Sequence, residues 1–285
     1  FLTISGIVNA CLNLFFVIVC GMSVDGVATA TVISQYISLF LVVRCLRRSE
    51  GLSHLELKSI RLDREESLRM IQIGLPAGLQ STLFSIANVL IQSSVNSFGA
   101  SVVAANTAAA SIEGFVYTAM NSVFHAAITF TSQNLGAGQY KRLRGITLWC
   151  LALGILLSEI LGFIAYGFGN SLLAFYNKDS EVIAMGMIRM MIVGTTYGLD
   201  AIMDIMADII RGMGSSVMPM IVTLIGACGF RVVWIYTIFA THHDLRVLYI
   251  SYPISWILTS LTHIICYFIV KRRRLSGLTE GVPSV

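Results

Sequence analysis

Three aspartates, Asp200, Asp204 and Asp208, stand four residues apart inside the apolar stretch 184–211. On a helix turning ~100° per residue they drift by only ~80°, so their carboxylates share one face along ~12 Å. An ionised acid at the centre of a bilayer costs on the order of 2.5–3.5 kcal/mol on insertion scales, so such groups face a protein interior or an aqueous path. Neighbouring carboxylates in apolar surroundings can exchange protons or hold a hard cation. The competing reading is neutralisation by arginine. Arg211 follows Asp208 by three residues, Arg231 lies in the next apolar stretch, and Arg189 precedes the stripe. Asp208 therefore reads as a structural pair, whereas Asp200, with no basic residue three or four positions away, reads as a functional group.

A second polar ridge runs through AASIEGFVYTAMNSVFH, where Glu113 is followed at helical spacing by Tyr117, Asn121 and His125. Such a ridge is either the wall of a cavity or a set of helix-to-helix hydrogen bonds, worth about 0.6 kcal/mol per contact. Glu159 has no ridge and reads as an interhelical or relayed acid. Asn9 and Asn13, and Gln72, Gln80, Asn88, Gln92 and Asn96, give two more stretches a polar face. The candidate substrate-facing residues are Glu113, Tyr117, Asn121, Gln80, Asn88 and Asn13. His125 and His263 read as packing residues, His242 and His243 as loop residues.

The elements that must carry these groups are membrane helices. Of the 285 residues 56% are hydrophobic and 12% are charged, against roughly 25% charged in a soluble domain. The apolar runs reach about 20 residues, the length that crosses ~30 Å of hydrocarbon as helix. No run alternates as a barrel strand does, so the expected class is an all-α polytopic membrane protein. Eight transmembrane helices are expected near 1–20, 26–46, 70–97, 101–132, 144–167, 184–211, 216–240 and 246–270. The six cysteines stand singly and read as small buried side chains. The GAG at 136–138 and the GMG at 212–214 read as helix ends. The sequence contains no GxxxxGK[ST], GxSxG or HExxH and no dinucleotide fingerprint. Neither enzyme chemistry nor nucleic-acid binding is expected.

Lysines and arginines in short loops mark the cytoplasmic side. Fifteen of the 19 fall after the second, fourth, sixth and eighth stretches, including Arg44, Arg47 and Arg48, Lys141 to Arg144, Arg211, and Lys271 to Arg274. The C-terminal tail is thus expected inside the cell. The mixed-charge stretch between Arg44 and Arg69 reads as a linker. The expected division is 1–48 as one helix pair, 49–69 as a cytoplasmic linker, 70–274 as a six-helix lobe and 275–285 as a cytoplasmic tail. Residues 1–48 and 221–274 echo each other, each a helix pair closed by an arginine cluster, VVRCLRR and FIVKRRR.

Several segments carry a resemblance to a known family. They are NACLNLFFVIV followed by GVATATVISQ, IGLPAGLQS, TFTSQNLGAGQYKRLR, and the transition IIRGMGSSVMPM. Across nearly the whole chain the sequence resembles the multidrug and toxic compound extrusion (MATE) family, in its bacterial branch. The resemblance implies a twelve-helix transporter of two six-helix lobes, of which this chain would supply the last two helices of the N-lobe and the whole C-lobe. The absence of an initiator Met before FLTISGIVNA agrees with the expectation that the first four helices are missing.

The resemblance further implies a multi-pass protein of the bacterial inner membrane that exports organic cations or other amphipathic compounds against sodium or protons. Its partners would be the lipid bilayer and a small cationic or amphipathic substrate, with no cofactor beyond a sodium ion at Asp200. In the branch with a C-lobe cation site, an aspartate lies eleven residues before the arginine of a leucine-arginine-glycine motif, as Asp200 lies before Arg211 in IIRG. Asp204 matches a position often acidic in one bacterial subgroup. Two departures stand beside this. The stretch Gln80 to Asn88 carries no acid where the branch has a glutamate, and Asn13 stands where proton-coupled relatives have an aspartate. The alternatives are a lipid-linked oligosaccharide flippase of the wider superfamily, which would need a cationic cavity, and a truncated chain that does not transport.

Overall fold

A computed structural model describes residues 2–50, 54–56 and 61–279, and among them all regular structure is helical. The chain divides into two units, Phe1–Arg64 and Glu65–Val285.

The first unit is a helical hairpin. Helix α1, Leu2–Leu14, continues into a π-helical turn, Phe15–Val19, and α2 is Val24–Arg48. The two are joined by a ladder of small polar side chains. Ser5 Oγ donates to the Ser34 carbonyl at 2.8 Å, Asn9 Nδ2 to Ser34 Oγ at 3.1 Å, and Asn13 Nδ2 to Asn9 Oδ1 at 3.0 Å. Small and polar residues let membrane helices approach and bond where lipid offers no partner. Cys11, Cys20 and Cys45 are exposed, contrary to their expected burial, because a two-helix unit has only one inward face. Cys150, Cys228 and Cys266, in the second unit, are buried as expected.

The second unit contains α3 (Arg64–Asn96, with Pro76 inside), α4 (Ala100–Gly136), α5 (Arg142–Gly167), and the short α6 (Gly169–Tyr176). Helices α7 (Ser180–Ile192) and α8 (Tyr197–Gly212) follow, separated by a single 3₁₀ turn. Next come α9 (Val217–Thr223) and α10 (Phe230–Trp234), each followed by a π-helical turn, and α11 (Leu245–Thr279). Helix α3 starts six residues before the expected boundary, with Glu65 and Glu66 in its first turn, where carboxylates complement the helix dipole. Residues 51–53 and 57–60 of the expected linker, and 280–285 of the expected tail, lie outside the described residues. Helix α11 continues to Thr279, beyond the expected tail boundary. Gly138 and Gly214 have φ of 68° and 83°, the left-handed conformation that ends a helix and that glycine adopts without strain.

Helices form at all eight expected stretches, and six are long and apolar enough to cross a membrane: Val24–Arg48, Arg64–Asn96, Arg142–Gly167, Ser180–Gly212, Val217–Phe239 and Leu245–Arg273. Thr3–Val19 is shorter, and the polar-rich Ala100–Gly136 is not among the six. Helix α8 is the centre of the unit, packed against α4, α5 and α11, with 12 of its 16 residues buried. Met203, Ile205, Ile209 and Ile210 meet Met120, Phe124, Leu248 and Trp256 in one core. The aspartate stripe is therefore inside the bundle. By contrast, Leu153, Leu156, Ile160 and Phe163 leave one side of α5 exposed and wholly apolar, as a lipid-facing surface requires.

The sequence shows one stretch at 184–211, yet the helix breaks at Gly194–Thr196. The Thr195 hydroxyl bonds back to the Met191 carbonyl and Thr196 Oγ1 to the Ile192 carbonyl, the latter at 2.7 Å, and such bonds bend helices. Helix α5 fits against the break because Gly162 has no side chain. A Cβ there would lie 2.2 Å from the Gly194 carbonyl oxygen, which is backbone and cannot rotate away. Gly162→Ala should destabilise the protein by about 1–3 kcal/mol through overpacking. A thermal midpoint in detergent equal to that of the parent would show that the α5 contact yields freely.

Candidate functional site

The stripe on α8 presents three carboxylates in three different situations. Asp208, at the end nearest Arg211, forms an ion pair with it. Arg211 also donates from Nη2 to Gln80 Oε1 on α3 at 2.6 Å, so Gln80 is committed to an arginine. Asp204, in the middle, is half-buried and accepts from the Tyr117 hydroxyl of α4 at 3.4 Å, a long contact. Tyr117 is itself 41% exposed, so this is the open part of the stripe. Asp200 is 5% exposed and accepts no hydrogen bond from any described residue.

Glu113 has a different environment. Arg189 of α7 grips it with Nε at 3.0 and 3.1 Å from the two carboxylate oxygens and Nη2 at 2.6 Å. Arg189 Nη1 donates to Asn106 Oδ1 at 2.7 Å, Tyr249 OH to the same oxygen at 3.0 Å, and Asn106 Nδ2 to Gln92 Oε1 at 2.9 Å. This network joins α3, α4, α7 and α11. Arg189 thus neutralises Glu113 in a helix-to-helix bond and makes no ion pair with the aspartate stripe. Glu159 is interhelical as expected, its Oε1 accepting the Gly198 N–H at 2.9 Å. That N–H belongs to the first turn of α8, where no intrahelical acceptor exists and the helix dipole favours an anion. Glycine allows this approach, since a Cβ at 198 would lie 2.3 Å from the same oxygen and the Glu159 side chain would have to move aside.

Sequence spacing does not reveal the surroundings of Arg231. Its guanidinium, 2% exposed, lies 4.2 Å from the Tyr252 ring centre, 5.6 Å from Phe84 and 5.8 Å from Trp256. Arg231 Nε donates to Ser255 Oγ at 3.0 Å. The readable signal was an arginine in an apolar stretch facing Tyr252, Ser255 and Trp256, which share one face of α11 at helical spacing.

The MatE family model matches residues 76–237, more than half of the chain. The chain belongs to the MatE family. The match runs through α3 to the turn after α10 and so includes the stripe, Glu113, Arg189 and Arg231. Among curated proteins, the probable multidrug resistance protein YoeA of Bacillus subtilis is 22% identical over 91% of this chain and 57% of its own length. The probable multidrug resistance protein NorM of Thermotoga maritima is 21% identical over 72% of this chain and 44% of its own. The chain spans about half the length of the curated relatives it matches. The crystal structure of the Vibrio cholerae MATE transporter VcmN in the bent form superposes with a TM-score of 0.81 over 95% of this chain and 61% of that one, at 18% identity. These relatives are transporters, not enzymes, and the fold is theirs.

Within this MatE fold the remaining sequence candidates are scattered. Asn121 is half-buried and Asn88 exposed, and neither bonds to a described residue. Asn13 belongs to the first unit and is engaged with Asn9. His125 is exposed, while His263 is fully buried with Nε2 3.5 Å from Thr223 Oγ1. His243, expected to be a loop residue only, stacks on Phe98 at 4.3 Å. Among the described residues no three His, Cys, Asp or Glu side chains are arranged to hold a metal ion. Asp204 and Tyr117 are the sequence-selected pair that the fold brings together.

Proposed function

We propose that this chain is part of a cation-coupled antiporter of the bacterial inner membrane that exports cationic or amphipathic compounds by alternating access. Asp200 and Asp204 bind the coupling sodium ion or proton. The observation that carries this reading is Asp200, a carboxylate buried at the centre of the bundle that accepts no hydrogen bond from the described residues. A buried charge is costly unless paired, so such a group gains by taking up a cation or a proton. The adjacent opening at Asp204 and Tyr117 is where a cationic substrate reaches the same acids. Competition for them gives ion and substrate opposite preferences between two states, and differential affinity lets a gradient drive export. Glu113 remains with Arg189. The names of the relatives, multidrug resistance proteins, support the substrate class.

The chain crosses the membrane eight times in this reading, as the last two helices of an N-lobe and a six-helix C-lobe, with its C-terminus in the cytoplasm. Four further helices would complete the N-lobe, in keeping with the share of the relatives' length that is matched. A green fluorescent protein fused to the C-terminus should fluoresce and an alkaline phosphatase fused there should be inactive; the reverse pattern would invert the orientation. Transport is tested by dye efflux from cells expressing the complete reading frame, with the sodium and proton gradients collapsed separately. Efflux should stop with one of them. Efflux that persists with both collapsed would refute cation coupling.

A further inference from the structure

Two buried donors without acceptors meet in one aromatic box. Arg231 Nη2 makes no hydrogen bond, and neither does Trp256 Nε1, although the residues are 2% and 3% exposed. A buried donor left unpaired is costly, and more so when it is charged. Ring faces recover part of that for a guanidinium, but a ring offers no lone pair in the plane of the donor. Beyond Tyr252, Phe84 and Trp256, the box is extended by Tyr197, stacked on Trp256 at 5.9 Å. Asp200 makes no ion pair with Arg231; the ion pairs among the described residues include Glu113–Arg189 and Asp208–Arg211. Ser255 is itself an acceptor already used by Nε.

The neighbourhood also borders a cleft. An apolar cleft of about 760 Å³ separates α3 from the segment 224–233 and is lined by Leu83, Ile86 and Ala87 on one side and Cys228 and Phe230 on the other. Phe84 and Arg231 come from these same two segments, each next in sequence to residues that line the cleft. The π-helical turns Leu224–Gly229 and Ile235–Phe239 bracket Arg231, and such turns occur often at functional sites.

We propose that Arg231 and Trp256 form a subsite for the carboxylate of an aromatic ligand whose ring lies among Tyr252, Phe84 and Trp256. Arg231 supplies the charge, Trp256 a second donor and the rings the planar contact. The subsite deepens the export reading and rests on it, since it adds aromatic carboxylates to the compounds handled by the same lobe.

Binding, rather than transport, tests it. The protein from the complete reading frame, purified in detergent, is titrated calorimetrically with 2-naphthoate and, separately, with 2-naphthylmethylammonium, which has the same ring and the opposite charge. Naphthoate should bind the parent, Arg231→Met should weaken it by ~10-fold or more, and the ammonium compound should bind that variant at least as well as the parent. Arg231→Lys should restore part of the affinity. Trp256→Phe, which keeps a ring and loses the donor, should weaken naphthoate several-fold and serves where Arg231→Met does not fold. No naphthoate binding to the parent, equal loss of both ligands in Arg231→Met, or unchanged naphthoate affinity in Trp256→Phe would overturn the subsite. The two readings fail separately: loss of the subsite leaves gradient-driven dye efflux intact, and a protein without coupled efflux still reports naphthoate affinity.

Discussion

Asp200→Asn should abolish gradient-driven efflux, by at least ~10-fold in rate, while the protein reaches the membrane in normal amount and melts at the same temperature or higher. The two halves of that expectation come from one observation. Asp200 accepts no hydrogen bond from the described residues and is 5% exposed, so the isosteric amide loses no contact and removes a buried charge. An isolated buried charge is costly to desolvate, so a neutral group of the same shape in its place should leave stability unchanged or raise it. An asparagine, however, neither takes up a proton nor balances a cation. Efflux and thermal stability measured on the same preparation separate a coupling residue from a structural one. A variant that transports normally would make Asp200 structural and shift the coupling role to Asp204.

Glu113→Gln should have the opposite profile, a large loss of stability. Glu113 and Arg189 are 8% and 9% exposed at their side chains, and removing one partner of a buried pair leaves the other charge uncompensated, at a cost of about 3–5 kcal/mol. Asn106, Tyr249 and Gln92 are bonded into the same network, so the loss should spread across α3, α4, α7 and α11. Glu113→Gln combined with Arg189→Met should recover part of it, since both charges are then gone. A double variant no more stable than the single one would show that the pair contributes through its geometry and not through charge balance. Thermal melts of the four proteins complete the cycle.

The helical class and the position of every long element were legible because a membrane helix leaves a mark that needs no partner, about 20 apolar residues between polar breaks. The stripe was legible for a similar reason, since four-residue spacing fixes a face whatever it faces. Asp208 with Arg211 was readable because both lie on one helix. Glu113 with Arg189 was not, because its partners are 76 residues apart and nothing local selects between two arginines. The same limit hid the box around Arg231, which takes its walls from α3 and α11. The break before α8 escaped notice because Gly194, Thr195 and Thr196 are all tolerated in apolar helices, and only the contact with Gly162 shows that the turn is tight.

The two π-helical turns on either side of Arg231 have a consequence for comparing this chain with others. A π turn holds one residue more than the α turn it replaces, and one residue advances a helix by ~100°. A relative whose corresponding helix is purely α must therefore be aligned with a one-residue gap inside 224–229 and another inside 235–239. Without the first gap, the position equated with Arg231 would point to a different side of the helix, and a missing arginine there would be mistaken for a change of chemistry.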